Sequence, residues 1–113
     1  MRRHKYRAKP VVLDGVWYAS QREAAHAQKL AILQRTGKVS VVLRQVPFEI
    51  APSVRDSTTG KVTARAERYV ADFLVYWTDG ALEIHEVKGF RTREYLRKKR
   101  RVEALYPIRI LEV

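Results

Sequence analysis

Apolar residues change their spacing along the chain at places that mark out its elements. Val11-Val12-Leu13 and Val16-Trp17-Tyr18 flank Asp14-Gly15, and a two-residue Asp-Gly link between such runs predicts a tight hairpin. Ser20 followed by Glu23 has the form of a capping box. Behind it Ala27, Leu30, Ala31 and Leu33 recur at helical spacing. Gly37, after Arg35-Thr36, supplies a stop, so a first helix is predicted over about Gln21 to Arg35. The β-branched and apolar residues from Val39 to Ile50 predict a strand, with Pro47 putting it at an edge or bulge. Residues 51–66, with Pro52, Ser53 and Asp56-Ser57-Thr58-Thr59-Gly60, read as a long polar loop, of a length that tends to be functional or mobile.

Tyr69 to Trp77 is the most hydrophobic strand. Thr78-Asp79-Gly80 turns it into a second, Ala81 to Gly89, and a second helix follows from about Thr92 to Leu105. Pro107 opens a last strand, Ile108 to Val113. After the small hairpin the order is helix, three strands, helix, strand. This is one α/β domain over residues 11–113, behind a basic arm at 1–10.

One strand carries a residue out of keeping with its neighbours. Ala71, Phe73, Val75 and Trp77 alternate with Val70, Leu74 and Tyr76, so both faces are apolar and the strand is expected to be central and covered on both sides. Asp72 lies within it, and a carboxylate in such a place is costly unless paired or bound to a cation. In the next strand Glu86 and Lys88 share one face and Val87 and His85 the other. A two-residue link would set Asp72 against Val87. A three-residue link with Gly80 in its left-handed third position sets Asp72 against Glu86, with Lys88 diagonal to both. The second register is the expected one. Two facing acids do not both ionise cheaply without a cation between them, and Mg²⁺ takes one or two carboxylates while keeping several waters. Lys88 then positions or deprotonates a water, or neutralises charge on phosphate. The competing reading is a buried Asp–Lys–Glu salt-bridge network. Glu23 is a fourth candidate, which the capping box alone would explain. His85 reads as packed, His4 and His26 lack ligand spacing, and Gln45 is a strand residue that could face the site.

Composition sharpens the choice. In 113 residues the net charge is +11, and such an excess implies an anionic partner. Arg2, Arg3, Lys5, Arg7 and Lys9 stand without an acid among residues 1–9. Arg91, Arg93, Arg97, Lys98, Lys99, Arg100 and Arg101 face Glu94 alone among residues 91–101. Nucleic acid is the natural ligand, and Arg2, Arg3, Lys5, Arg7, Lys9, Arg91, Arg93, Arg97 and Lys98 are the candidate contacts. A membrane surface fits less well, since Arg97 to Arg101 occupy every side of a helix. There are no cysteines, so any metal sits on oxygen or imidazole. Without a membrane-length apolar run or a signal-peptide core, the expected location is the cytoplasm.

Asp72 followed by Glu86-Val87-Lys88 resembles the motif of the PD-(D/E)xK nuclease superfamily, with Ala71 where the name has proline, and the element order from Gln21 onward is similar to its αβββαβ core. More closely, the chain resembles a phage-encoded group of small nucleases related to archaeal Holliday junction resolvases. The stretches that carry this are Lys5-Tyr6-Arg7-Ala8-Lys9, the run from Gly15 to Ala24, Gln45-Val46-Pro47-Phe48, Tyr69-Val70-Ala71-Asp72-Phe73 and Glu86-Val87-Lys88-Gly89-Phe90. The resemblance implies a restriction-endonuclease-like core, a mixed sheet flanked by helices. It brings Glu23 into a metal site with Asp72, Glu86 and the Val87 carbonyl, and implies a homodimer that cuts four-way junctions symmetrically in recombination and repair. If the chain is phage-encoded, it acts in the host cytoplasm.

The reading is therefore a Mg²⁺-dependent endodeoxyribonuclease, with Mn²⁺ able to substitute, that resolves four-way junctions. Glu23, Asp72, Glu86 and Lys88 are its catalytic residues. Two rivals stay open: another nicking or restriction-like DNase of the same superfamily, and a non-enzymatic basic nucleic-acid-binding protein.

Overall fold

The computed structural model describes residues 9–87 and 91–113. Strands β1 (Val11–Leu13) and β2 (Val16–Tyr18) form the expected hairpin, with Val12 opposite Trp17. Its turn needs two left-handed residues, and Asp14 (φ 52°) and Gly15 (φ 77°) supply them. Helix α1 runs Gln21–Arg35; the Ser20 hydroxyl accepts the Glu23 N–H at 3.1 Å, satisfying one of the orphan donors at a helix start. The remaining elements are β3 (Val39–Ala51), β4 (Val54–Arg55), β5 (Val62–Ala64), β6 (Glu67–Trp77), β7 (Leu82–Glu86), α2 (Arg93–Leu105) and β8 (Ile110–Glu112).

The main sheet has four strands in the order β3-β6-β7-β8. The first three run antiparallel through short links, and β8 lies parallel to β7. A parallel return demands a crossover, which α2 provides. Pro47 pairs with Val70 in β3, a sheet edge, where a missing N–H costs least.

Each helix is held to the sheet by its own cluster of side chains. Leu30 of α1 packs with Val39, Phe73 and Val75, flanked by Ala27, Leu33 and Val87. Tyr95 and Val102 of α2 pack with Ile84, Ile110, Tyr69 and Ala71, flanked by Leu74 and Leu96. Ala71, Phe73 and Val75 are fully buried.

Three expectations are corrected here. The second face of β6 is only partly covered, since Val70 is 46% exposed and Tyr76 44%. Ala31 faces solvent rather than the core. Residues 51–66 are not irregular, for they contain the β4–β5 ribbon.

Candidate active site

The turn between β6 and β7 sets the site. The Trp77 N–H donates to the Ala81 carbonyl at 2.8 Å and the Gly80 N–H to the Trp77 carbonyl at 3.0 Å, with Gly80 at φ 97°. Phe73 is thereby opposite His85, and Leu74 opposite Ile84. Continued by one residue, this register sets Asp72 across from Glu86, as the three-residue link requires. Asp72 then takes over from the ladder: its Oδ2 accepts the Val87 N–H at 2.8 Å. On the other flank of Asp72 lies Gln45, between Arg44, paired with Phe73, and Val46, paired with Ala71. Gln45 is at φ 53°, a left-handed conformation that costs a non-glycine residue about 1 kcal/mol.

Glu86 is buried, 5% exposed, and its Oε1 accepts the Tyr69 hydroxyl. Burial, followed by this bond and the Glu86 charge, pushes the Tyr69 phenol well above its ordinary range, so Tyr69 remains a donor. Further along, the Tyr95 hydroxyl donates to Glu112 Oε2 at 2.8 Å, and Arg91 pairs with Glu112 Oε1.

Glu23 reaches the same region from the first turn of α1. It is 5% exposed. Desolvation raises its pKa, and the Asp72 charge raises it further, while Arg44 and a hydrogen bond from the Ala19 backbone oppose them. The capping box is thus half formed: Ser20 caps Glu23, but the Glu23 carboxylate turns to Ala19, Arg44 and Asp72. Arg44 Nη2 stands 3.5 Å from Glu23 Oε1 and 3.3 Å from the Trp17 carbonyl, with its guanidinium 4.2 Å over the Tyr18 ring. The Arg44 Nε is buried without a hydrogen-bond partner. Arg44 was not foreseen, because a cation in an edge strand reads as solvated until the helix carrying Glu23 is folded against it.

A relay of side chains lies beside these acids on the α1 face. His26 Nε2 is 2.9 Å from His85 Nδ1, His85 Nε2 is 2.9 Å from Glu83 Oε1, and the Trp77 indole donates to that same oxygen at 2.8 Å. The bond from His85, ahead of the indole's, holds Glu83 below its usual carboxylate range. Burial, with His85 and Lys29 adding to it, lowers the His26 pKa, against the pull of Asp72. His85 is packed, as the sequence suggests, and also bonded to a partner 59 residues away, a separation that no local pattern could reveal.

Of the expected site, Asp72 in the middle of β6 stands beside the end of β7, where Glu86 lies, and its charge is felt by Glu23. Lys88 falls outside the described residues. Among the described residues, no three His, Asp or Glu side chains converge into a group able to hold a metal ion. Glu86 is turned to Tyr69 and Glu23 to Arg44. The donor chemistry still suits a hard cation: Glu23 and Asp72 are all-oxygen ligands that repel each other, and Mg²⁺ needs only one or two carboxylates with its waters. A third ligand at Glu86 requires its carboxylate to leave Tyr69.

The expected DNA contacts are spread. Arg2, Arg3, Lys5 and Arg7 lie outside the described residues. Lys9, Arg91 and Arg93 are exposed. Arg97 is held by Glu67 at 3.0 Å and Glu94 at 2.9 Å, and Lys98 lies 4.0 Å from Glu94. No helix among the described residues is long and apolar enough to cross a membrane. No curated protein and no solved structure matches the chain. A family model does match, over residues 3–111, and the chain belongs to that family, described as a protein of unknown function (DUF1064).

Proposed function

We propose that this protein is a Mg²⁺-dependent DNA endonuclease of restriction-endonuclease-like fold, acting on four-way junctions as a homodimer. The observation that carries the reading is the meeting of Asp72 with Glu86 across the β6–β7 register and with Glu23 from α1, in a chain of net charge +11. Glu23 and Asp72 set against each other in a strongly basic chain are hard to explain by stability, since the Asp72 charge opposes that of Glu23. A divalent ion bound there supplies Lewis acidity and a more acidic water for phosphodiester hydrolysis. Glu23 and Asp72 would hold the cation, Glu86 would complete the set if released by Tyr69, and Lys88, by its place in the motif, would align the attacking water. Arg44, partnered with Glu23, is free to turn to phosphate when a cation takes its place.

The test is a labelled four-way junction with and without Mg²⁺. Wild type is expected to cut in matched pairs only with the metal, and Asp72→Asn and Glu86→Gln to bind without cutting. Near wild-type cutting by either variant removes the site assignment. Flap and linear duplex substrates separate a resolvase from another nicking or restriction-like DNase. A non-enzymatic nucleic-acid-binding role draws support from the Glu86–Tyr69 and Glu23–Arg44 contacts, which read there as structural. In that case no DNA is cut, and Asp72→Ala lowers stability alone.

A further inference from the structure

The β4–β5 ribbon stands apart from the rest of the molecule in a telling way. Residues 52–65 are all exposed, including Val54 at 52% and Val62 at 47%. A lone two-stranded hairpin is marginal in water and normally gains its order by packing a face on a core. This one is ordered from its own tip. Asp56 Oδ1 accepts the N–H groups of Thr58 and Thr59 at 2.7 and 2.9 Å. The Gly60 N–H donates to the Asp56 carbonyl at 2.8 Å and the Asp56 N–H to the Lys61 carbonyl at 2.8 Å. The Arg55 guanidinium closes the turn on the Gly60 carbonyl at 2.7 Å, and Gly60 sits at φ 75°. The bonds from Thr59 and Thr58 hold Asp56 below its usual range, so its carboxylate stays ionised and keeps the turn in place.

Lys61 and Arg65 bracket β5 without an ion-pair partner among the described residues, whereas Arg97 and Lys98 of α2 are taken up by carboxylates. We infer that the β4–β5 ribbon is a DNA-contacting finger, its free cations on phosphates and its two strands laid into a groove of the duplex arms. The inference rests on the nucleic-acid reading above and names a contact that reading does not include. A two-stranded ribbon matches the width of the major groove, and a preformed tip avoids the ordering cost a floppy loop would incur on binding.

Binding of a duplex and of a four-way junction in EDTA, over a range of salt, tests it without any cutting. Lys61→Ala/Arg65→Ala leaves the Arg55–Gly60 bond intact and is compared with Arg35→Ala/Lys38→Ala, which removes the same charge from the end of α1 and the turn that follows it. Two lost phosphate contacts should reduce the magnitude of the slope of log K against log[salt] by about 2, with the thermal midpoint unchanged and the control pair reducing it by less than half as much. Equal slopes for the two pairs overturn the finger. So does a change from dimer to monomer with the slope retained, which would assign the ribbon to a second copy of the chain. Wild type that fails to bind DNA removes the nucleic-acid reading and the finger together, whereas wild type that binds and cuts, with a slope indifferent to Lys61 and Arg65, removes the finger alone.

Discussion

Glu23 sits in surroundings that oppose its charge. Desolvation and the Asp72 carboxylate both favour its protonated form, and Arg44 at 3.5 Å offsets them only in part. Because its folded pKa lies above the unfolded value, the native state holds the proton more tightly. Stability from this group is present below the ordinary glutamate range and lost as pH rises through the raised value. Glu23→Gln should therefore raise the thermal midpoint at neutral pH without divalent ion, by a few degrees if about 1 kcal/mol is relieved. It should also flatten the pH dependence of stability above the ordinary range. With Mg²⁺ the order should reverse, wild type gaining and the variant not. Calorimetry at several pH values, with and without Mg²⁺, reads both. A midpoint lowered by Glu23→Gln in the absence of metal would show that the Arg44 pair dominates.

At the scale of elements, β6 and its neighbours are set by local rules and then bent by one exception. The tight turn at Gly80 fixes which face Asp72 and Glu86 share, and that register follows from turn length alone. The exception is Gln45, left-handed where β3 passes Asp72. Glycine accepts this conformation without the steric cost, so Gln45→Gly should leave stability unchanged or raise it by up to about 1 kcal/mol. Equilibrium urea unfolding checks this, and a loss above about 1 kcal/mol would mean that the Gln45 side chain itself holds this part of the strand. The ribbon within residues 51–66 is the other departure. Its strands are short, flanked by Ser, Thr and Pro, and lack the alternation that marks a half-buried strand, so its order comes from tip hydrogen bonds that composition does not reveal.

At the scale of the whole molecule, the apolar side chains of α2 and β8 are largely spent on the protein's own core. Val102 and Ile110 are buried, and Leu96 and Ile108 pack beside them in the α2 core, while Leu105 is in the open. Exposed apolar side chains gather instead on the part of the sheet that α2 does not cover. Val41, Tyr76 and Leu82 align across three strands, with Leu43 in the next row, each more than 40% exposed. No cation interrupts those four positions, which matters for a chain that otherwise repels its copies. A two-fold dimer through this face would supply the pair of sites that symmetric junction cutting needs. Sedimentation equilibrium at micromolar protein should give a dimer, and Leu43→Glu/Leu82→Glu a monomer that nicks without paired cuts. A wild-type monomer that makes only single nicks would end the resolvase reading.

Much of this architecture can be read along the chain, since its causes are local. Ser20, Gly37 and the 3.6-residue spacing delimit α1 to the residue, Asp14-Gly15 makes the first hairpin, and Gly80 sets Asp72 against Glu86. The charge, too, is a property of composition. What escaped the sequence are contacts between residues far apart in it: Arg44 with Glu23, Tyr69 with Glu86, His26 with His85 at separations of 21, 17 and 59. Which carboxylate meets which donor depends on how α1 and α2 settle on the sheet. That is decided by the packing of Leu30, Phe73 and Val75 in one cluster and Ile84, Val102 and Ile110 in the other. Hydrophobic burial has no direction of its own, so it announces that a core will form while the shapes of the folded layers choose the neighbours.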